Sequence, residues 1–434
     1  MKARLCLLLL AALFNVPLAA QAQETTWAGN YYTSGVDDEG VAYESGLEIV
    51  ETDGPVMLTW TYADEADVEI GVGLPLSDTQ LAVAYDVSCI MQIFNVADDG
   101  TLSGPWAEAF VGLGEETSTP SDGQGATVGG MYTVEGMAPD GAPYSGTLEI
   151  TATGDTTYDL MWSLEDFGEF GGVGMMANGV LISGATVDPE IECGAGLLEI
   201  GEDGTITAMW ADEGAEAPYN DVSTPITLAD SFTIEGTDVD GSEWDAELNI
   251  TGGSGSRYLF DFIVGGDAAV PGLLLLRGNV VNMVWGGEQC AVLNRALLEN
   301  GSLWTRNSTI ANETVGMTLQ TPVDETDGFT GTFDLAGTAA TGATTTGTTT
   351  ISGGENGVYA SAGEATRSTG ETVSLDGVFI AQGGVLVGTY APGDDVTPCG
   401  VVAGSIDANG VITAAYTQYG ETDLIGTQVL TPTM

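Results

Sequence analysis

Apolar and polar residues alternate with a period of two along most of this chain. The pattern is clearest between residues 130 and 225. Residues 130–136 read Gly-Met-Tyr-Thr-Val-Glu-Gly, residues 144–150 read Tyr-Ser-Gly-Thr-Leu-Glu-Ile, and residues 158–162 read Tyr-Asp-Leu-Met-Trp. Further alternating runs begin near Gly172, Val180, Cys193 and Thr205, and a last one lies between Asn220 and Thr224. Period-two alternation broken by Gly, Asp and Asn predicts short antiparallel strands joined by hairpins. About seven or eight strands per hundred residues fit a meander, closed as a small barrel or folded as a sandwich. No segment beyond the N-terminal leader carries a helical period.

The pattern repeats. Cys89, Cys193, Cys290 and Cys399 recur at intervals of 104, 97 and 109 residues. Thr119-Pro120, Thr224-Pro225, Thr321-Pro322 and Thr431-Pro432 keep step with them. A fixed period of this size marks tandem copies of one unit. Proline ends a strand, so unit boundaries are placed after each Thr-Pro pair. This gives a leader at residues 1–22 and β repeats at 23–120, 121–225, 226–322 and 323–434, the last of them degenerate. An Asp-Gly or Asn-Gly pair recurs in register at Asp99-Gly100, Asp203-Gly204, Asn300-Gly301 and Asn409-Gly410. It predicts a two-residue hairpin with positive φ. The threonine-rich stretch 338–352 resembles a linker, but residues 331–354 align without a gap on 130–153. Two strands and a turn are therefore expected there, which β-branched threonine suits.

Aligning the copies picks out the aromatics. Trp60, Trp162 and Phe262 form one equivalent set. Tyr43, Tyr144 and Trp244 form a second. Trp106, Trp210 and Tyr416 form a third, with Trp304 near that place in the third copy. They either fill barrel interiors or line a pocket for a sugar, an apolar molecule or a partner's side chain. In the fourth copy Thr345 replaces the tyrosine and Gly363 the tryptophan. A core would compensate such lost volume elsewhere, whereas a ligand site could be abandoned in one copy. The candidate ligand-binding residues are therefore Trp60, Trp162, Phe262, Trp106, Trp210, Tyr43, Tyr144 and Trp244.

Charge removes most enzymes from consideration. There are 63 acidic residues against seven basic ones and no histidine, for a formal net charge of −56. No Ser-His-Asp triad and no histidine-ligated zinc or haem can form. Lys2 and Arg4 belong to the expected leader, which leaves Arg257, Arg277, Arg295, Arg306 and Arg367 as the basic side chains of a mature chain. A lysine Schiff base is thus excluded, and no basic neighbour in sequence activates a cysteine. Such a surface repels nucleic acid and anionic lipid. Yet 43% of residues are hydrophobic, enough for packed cores. The densest acidic cluster, Asp238-Val239-Asp240-Gly241 with Asp245 and Glu247, departs from the EF-hand pattern and occurs in one copy only. It is expected to be a hairpin turn on a solvated face. No metal or cofactor is expected.

Met1-Lys2-Ala3-Arg4, an apolar run at 5–13 and Ala20-Gln21-Ala22 read as a Sec-type leader cleaved near Ala22. A secreted or periplasmic protein is expected. The longest later apolar run, residues 270–276, has strand length and cannot cross a bilayer as a helix. Export favours disulfides. However, each unit holds one such cysteine, and a bridge between units needs those units face to face. Four separate buried thiols are expected.

One full unit resembles a repeat of exported bacterial proteins, some of them labelled fibronectin-binding. The resemblance rests on Tyr132, Gly136, Asp140-Gly141, Tyr144, Gly146, Trp162, Gly172, Gly174, Cys193, Asp203-Gly204 and Trp210. In strand count and size the unit is similar to small up-and-down barrels of the avidin and lipocalin kind. The expected function is non-enzymatic, multivalent binding to a protein, matrix or surface, because tethered copies of a weak module raise avidity. The alternative is a small apolar or sugar ligand held inside each barrel.

Overall fold

The structure is a computed structural model of the chain. It describes residues 26–433 apart from 38–39, 53, 64, 87, 122–126, 189–190, 287–289, 325, 340, 355 and 391–398. The expected leader lies outside the described residues.

Strands alone make up the regular structure among the described residues. The chain first lays down β1 (Gly29–Val36), β2 (Ala42–Val50), β3 (Val56–Thr61), β4 (Glu69–Ser77) and β5 (Gln80–Tyr85). It then leaves this sheet and builds a second one. That one comprises β6 (Ile90–Val96), β7 (Leu102–Glu108), β8 (Gly112–Pro120), β9 (Gly130–Met137), β10 (Pro143–Ala152), β11 (Thr157–Leu164), β12 (Gly168–Ala177) and β13 (Val180–Thr186). Finally it returns with β14 (Gly194–Ile200), β15 (Ile206–Ala211) and β16 (Tyr219–Pro225). Barrel I closes in the order β1-β16-β15-β14-β5-β4-β3-β2, and barrel II consists of β6 to β13. Barrel II is therefore a contiguous insert within barrel I.

The second half repeats the plan. Barrel III takes β17 (Ser231–Asp238), β18 (Glu243–Ser254), β19 (Arg257–Val264), β20 (Val270–Arg277) and β21 (Val280–Trp285). Inserted barrel IV takes β22 (Ala291–Leu297), β23 (Leu303–Thr309), β24 (Gly316–Pro322), β25 (Gly331–Thr338), β26 (Thr344–Gly353), β27 (Val358–Arg367), the short β28 (Thr372–Ser374), β29 (Gly377–Gln382) and β30 (Val385–Tyr390). The chain returns to barrel III with β31 (Gly400–Ile406), β32 (Ile412–Gln418) and β33 (Gly426–Pro432). Barrel IV closes through β26–β27 pairing, with β28 added outside on β27. The result is four closed eight-stranded antiparallel barrels, as the alternation predicts. The threonine-rich stretch forms β25 and β26, not a linker.

The barrels do not coincide with the sequence repeats. Pro120 pairs with Tyr132, so the first Thr-Pro pair lies inside barrel II. Pro322 likewise pairs with Phe333 inside barrel IV. Each repeat gives its last three strands to the other barrel of its pair.

This exchange corrects the expectation of free thiols. Cys89 is bonded to Cys193 and Cys290 to Cys399, each with Cα atoms 5.8 Å apart. Cys89 precedes β6 and Cys193 precedes β14, where the chain crosses between barrels. The two crossings run side by side, and equivalent positions of successive repeats thereby meet.

Burial follows the same plan. Each barrel has its own lumen core, and a further core lies between the barrels. Residues 270–276 explain why some strands lose their alternation. Leu274 and Leu276 face the lumen of barrel III, while Leu273 and Leu275 face the shared core. A strand buried on both faces reads as a continuous apolar run. Each of these leucines contributes roughly 2 kcal/mol by burial.

The arginines sit at the seams. Glu48 of barrel I pairs with Arg277 of barrel III at 3.4 Å and with Arg306 of barrel IV. All three are at least 95% buried. Arg277 also donates to the Trp304 carbonyl at 2.9 Å, and Arg257 of barrel III donates to Ser308 and the Thr309 carbonyl of barrel IV at 3.0 Å each. The recurrent Asp-Gly sites differ from the predicted two-residue hairpin. Only the glycine has positive φ (85° at Gly100), after a turn closed from the Gly100 N–H to the Ala97 carbonyl. This is a type I turn followed by a left-handed glycine, and the Asp99 carboxylate accepts the Thr101 N–H.

Candidate functional site

The strand that ends each first run carries a side chain at the mouth of its lumen. In register these are Tyr85 in barrel I, Ala185 in barrel II, Trp285 in barrel III and Tyr390 in barrel IV. Across the ladder, Tyr85 faces Gly194 and Trp285 faces Gly400, whereas Ala185 faces Ile90. A Cβ on Gly194 would lie 1.8 Å from the Tyr85 ring, and one on Gly400 would lie 2.2 Å from the Trp285 ring. Glycine is what lets each ring fold over the mouth. Barrel II has the opposite pairing and no ring there. A chamber of about 280 Å³ opens between Gln92, Trp106, Glu116, Tyr144, Trp162 and Phe170.

Glu116 on β8 forms the polar base of this chamber. Its carboxylate accepts the Tyr144 hydroxyl at 3.0 Å, the Ser118 hydroxyl at 3.0 Å and the Trp162 indole N–H at 3.3 Å. Only 5% of Glu116 is exposed. Burial pushes its carboxyl above the usual range, against the pull of the three donors. Phe170 stacks on Trp162 with centroids 5.4 Å apart, and Phe167 meets Tyr144 edge-on at 6.2 Å from an exposed position. Trp106 is buried and meets Tyr144 edge-on at 6.5 Å, with its indole N–H toward the Tyr144 hydroxyl.

Barrel I holds a related arrangement beneath a shallower, more open cavity of about 290 Å³, which Tyr43, Trp60, Tyr85, Trp210 and Asp221 help to line. Asp221 on β16 accepts the Tyr43 hydroxyl at 2.8 Å and the Trp210 N–H at 2.9 Å. Trp60 and Tyr85 pack edge-on against Trp210 at 5.7 and 5.5 Å. At the rim the exposed Glu69 carboxylate accepts the Tyr62 hydroxyl at 2.8 Å. In barrel III the acid comes from β17. Asp238 accepts the Trp244 N–H at 2.9 Å and the Tyr416 hydroxyl, and Trp285 closes over Phe262 at 5.3 Å. Among the described residues barrel IV has no acid in this place, and Thr318 holds the register of Glu116. Arg295 lies over Phe379 and Tyr390 at 4.3 and 5.4 Å and donates to the Tyr390 hydroxyl.

The sequence candidates thus gather in threes, but across repeats. Trp60 and Tyr43 of the first repeat meet Trp210 of the second in barrel I. Tyr144 and Trp162 of the second meet Trp106 of the first in barrel II. Trp244 and Phe262 of the third meet Tyr416 of the fourth in barrel III. Trp304 leaves the pattern. It lies in the shared core, 5.6 Å from Phe110 and under Arg277. The volume lost at Thr345 and Gly363 is refilled in part by Leu375, which clusters with Leu335 and Ala365, and in part left as a cavity of about 190 Å³.

The acidic cluster at 238–241 is a turn, and the Asp240 carboxylate accepts the Ser242 N–H at 2.9 Å. Its Asp238 side chain, however, serves the aromatic set of barrel III rather than a solvated face. Among the described residues no group of three or more acidic or cysteine side chains is placed to hold a metal ion. Glu116 and Asp221 were not singled out from sequence. Both stand three residues before a Thr-Pro marker, at inward positions of an alternating strand, and the same register holds Thr318 and Gln428 in the other copies. That exchange of acid for neutral side chain is the mark that would have found them.

Comparisons with protein-family models, with curated proteins and with solved structures found no match for this chain.

Proposed function

We infer that this is a non-enzymatic binding protein and that the mouth of barrel II takes a small organic ligand. The observation that carries this reading is the Ala185–Ile90 pair. It stands where barrels I and III fold a ring over a glycine, and it leaves an aromatic chamber above a buried carboxylate that is more enclosed than the cavity of barrel I. Small-ligand sites are commonly apolar concavities with a few fixed polar groups. The repeated aromatics face the lumens, which supports binding inside a barrel over adhesion through a repeated outer surface.

The test is a titration of the full chain with a panel of neutral, cationic and sugar ligands, read by tryptophan fluorescence. A single excised sequence repeat is unsuitable, because its last three strands belong to the other barrel. A ligand of this chamber changes the emission of wild type and loses its effect in Trp162→Ala with the fold retained. A panel with no effect on emission, or an effect that survives Trp162→Ala with unchanged affinity, refutes the reading.

A further inference from the structure

We propose that the chamber of barrel II selects an organic monocation with compact apolar substituents, such as a quaternary or tertiary ammonium group. This rests on the reading of that chamber as a ligand site and adds the charge of the ligand.

Three independent features point the same way. First, the Glu116 carboxylate is surrounded by donors and has no cation. The indole N–H of Trp162 can only donate, so Oε1 must accept. The described arginines all lie on strands of barrels III and IV, so barrels I and II contain no basic side chain of their own. A buried carboxylate without a countercharge is costly, and a bound cation removes that cost. Second, the walls are ring faces. Trp106, Tyr144, Trp162, Phe167 and Phe170 surround the opening, and aromatic faces attract cations whose charge is spread over weakly hydrated groups. A sugar would need several fixed polar partners. Here Gln92 already spends its amide on the carbonyls of Ile93, Gly104 and Pro105. Third, the protein performs the same recognition internally. In barrel IV the register of Glu116 holds Thr318, and the buried guanidinium of Arg295 occupies the aromatic faces of Phe379 and Tyr390. Barrel IV supplies its own cation. Barrel II keeps the acid, loses the ring at Ala185, and leaves the cation to be supplied from outside.

The experiment compares choline with its neutral isostere 3,3-dimethyl-1-butanol, on full-length protein, by calorimetry and tryptophan fluorescence. Choline is expected to bind on the order of tenfold more tightly than the alcohol, and Glu116→Gln to erase that difference. Ala185→Tyr combined with Ile90→Gly lays the ring-over-glycine pair of barrel I across this more enclosed chamber at constant net charge and is expected to abolish choline binding, with the circular dichroism spectrum retained. Equal binding of the two ligands, lost together in the closed variant, overturns the charge selection while leaving the ligand site standing. Choline binding that persists in the closed variant belongs to the acidic surface and overturns the proposal. Absence of binding by choline, its isostere and the wider panel alike overturns both readings.

Discussion

Removing the first disulfide separates the two barrels energetically. Cys89 and Cys193 are 104 residues apart, and the loop they close contains the whole of barrel II. Barrel I is discontinuous, so β1 to β5 meet β14 to β16 only when the ends of that loop are brought together. In the chain-entropy picture a cross-link over a loop of about 100 residues lowers the unfolded state's freedom by about 4.7 kcal/mol. That is roughly three decades in the folding equilibrium. The Cα separation of 5.8 Å lies within the ordinary range for a bridge, so the native state gains little by relaxing when the bond is removed. The cost in Cys89→Ala/Cys193→Ala should therefore be about 3–5 kcal/mol, and it should fall on barrel I, because barrel II is contiguous and closes without help. Hydrogen exchange read by mass spectrometry tests this. Amides of β1 to β5 and β14 to β16 should lose protection by two to three decades, while those of β6 to β13 lose far less. Equal loss in both barrels, or loss divided at residue 120, would refute the reasoning, since it would make the sequence repeat the folding unit.

Two further predictions follow from the buried charges. Glu48→Gln leaves Arg277 and Arg306 buried without their carboxylate and should destabilise the junction of barrels I, III and IV by about 3–5 kcal/mol; an unchanged denaturation midpoint would show that the triad contributes nothing. Burial raises the folded-state values of Glu116 and Asp221 above the ordinary carboxylate range, so in the window just above that range the folded state binds protons that the unfolded state does not. Thermal stability at fixed ionic strength should then rise as pH falls through that window, and fall again in stronger acid, where Asp99 and Asp240, held low by hydrogen bonds from Thr101 and Ser242, are protonated; a steady decline from pH 7 downward would contradict this.

The fold was legible in the sequence to the level of strands and copies. Alternation placed the strands because one face of most of them meets water. It also rescued residues 338–352, since the register with 130–153 outweighed a composition typical of linkers. The exchange of strands between copies was not legible. A repeat records descent of the sequence, and the same eight strands close into the same ring whichever copy supplies the last three. The cysteines held the missing information. One per repeat seemed to argue against bonding, yet it is the expected count if equivalent crossings lie side by side. The aromatic candidates were correctly placed in lumens for the same reason that the strands were. Their acids were missed because part of what surrounds them, Tyr144 and Trp162 at Glu116 and Tyr43 at Asp221, comes from the neighbouring repeat.

The exchange also explains how one lumen can lose the ring at its mouth without losing the barrel. In an isolated small barrel the lumen is the only hydrophobic core, and a chamber of about 280 Å³ would weaken the one thing holding it together. Here β4, β5, β12, β13 and β14 are buried on their outer faces as well. Val72, Ala82, Val173, Ile182 and Leu197 belong to a core shared between barrels. Two crossings and a disulfide then fix barrel II to barrel I whatever its mouth contains. Because the outer faces carry much of the stability, the residue in the register of Tyr85, Ala185, Trp285 and Tyr390 is free to change from ring to methyl. The requirement is local, a glycine beneath the ring or a larger side chain opposite the methyl, and Gly194, Gly400 and Ile90 meet it. A duplicated pair built in this way can keep its frame while one lumen exchanges the ring at its mouth for a methyl and becomes a binding site.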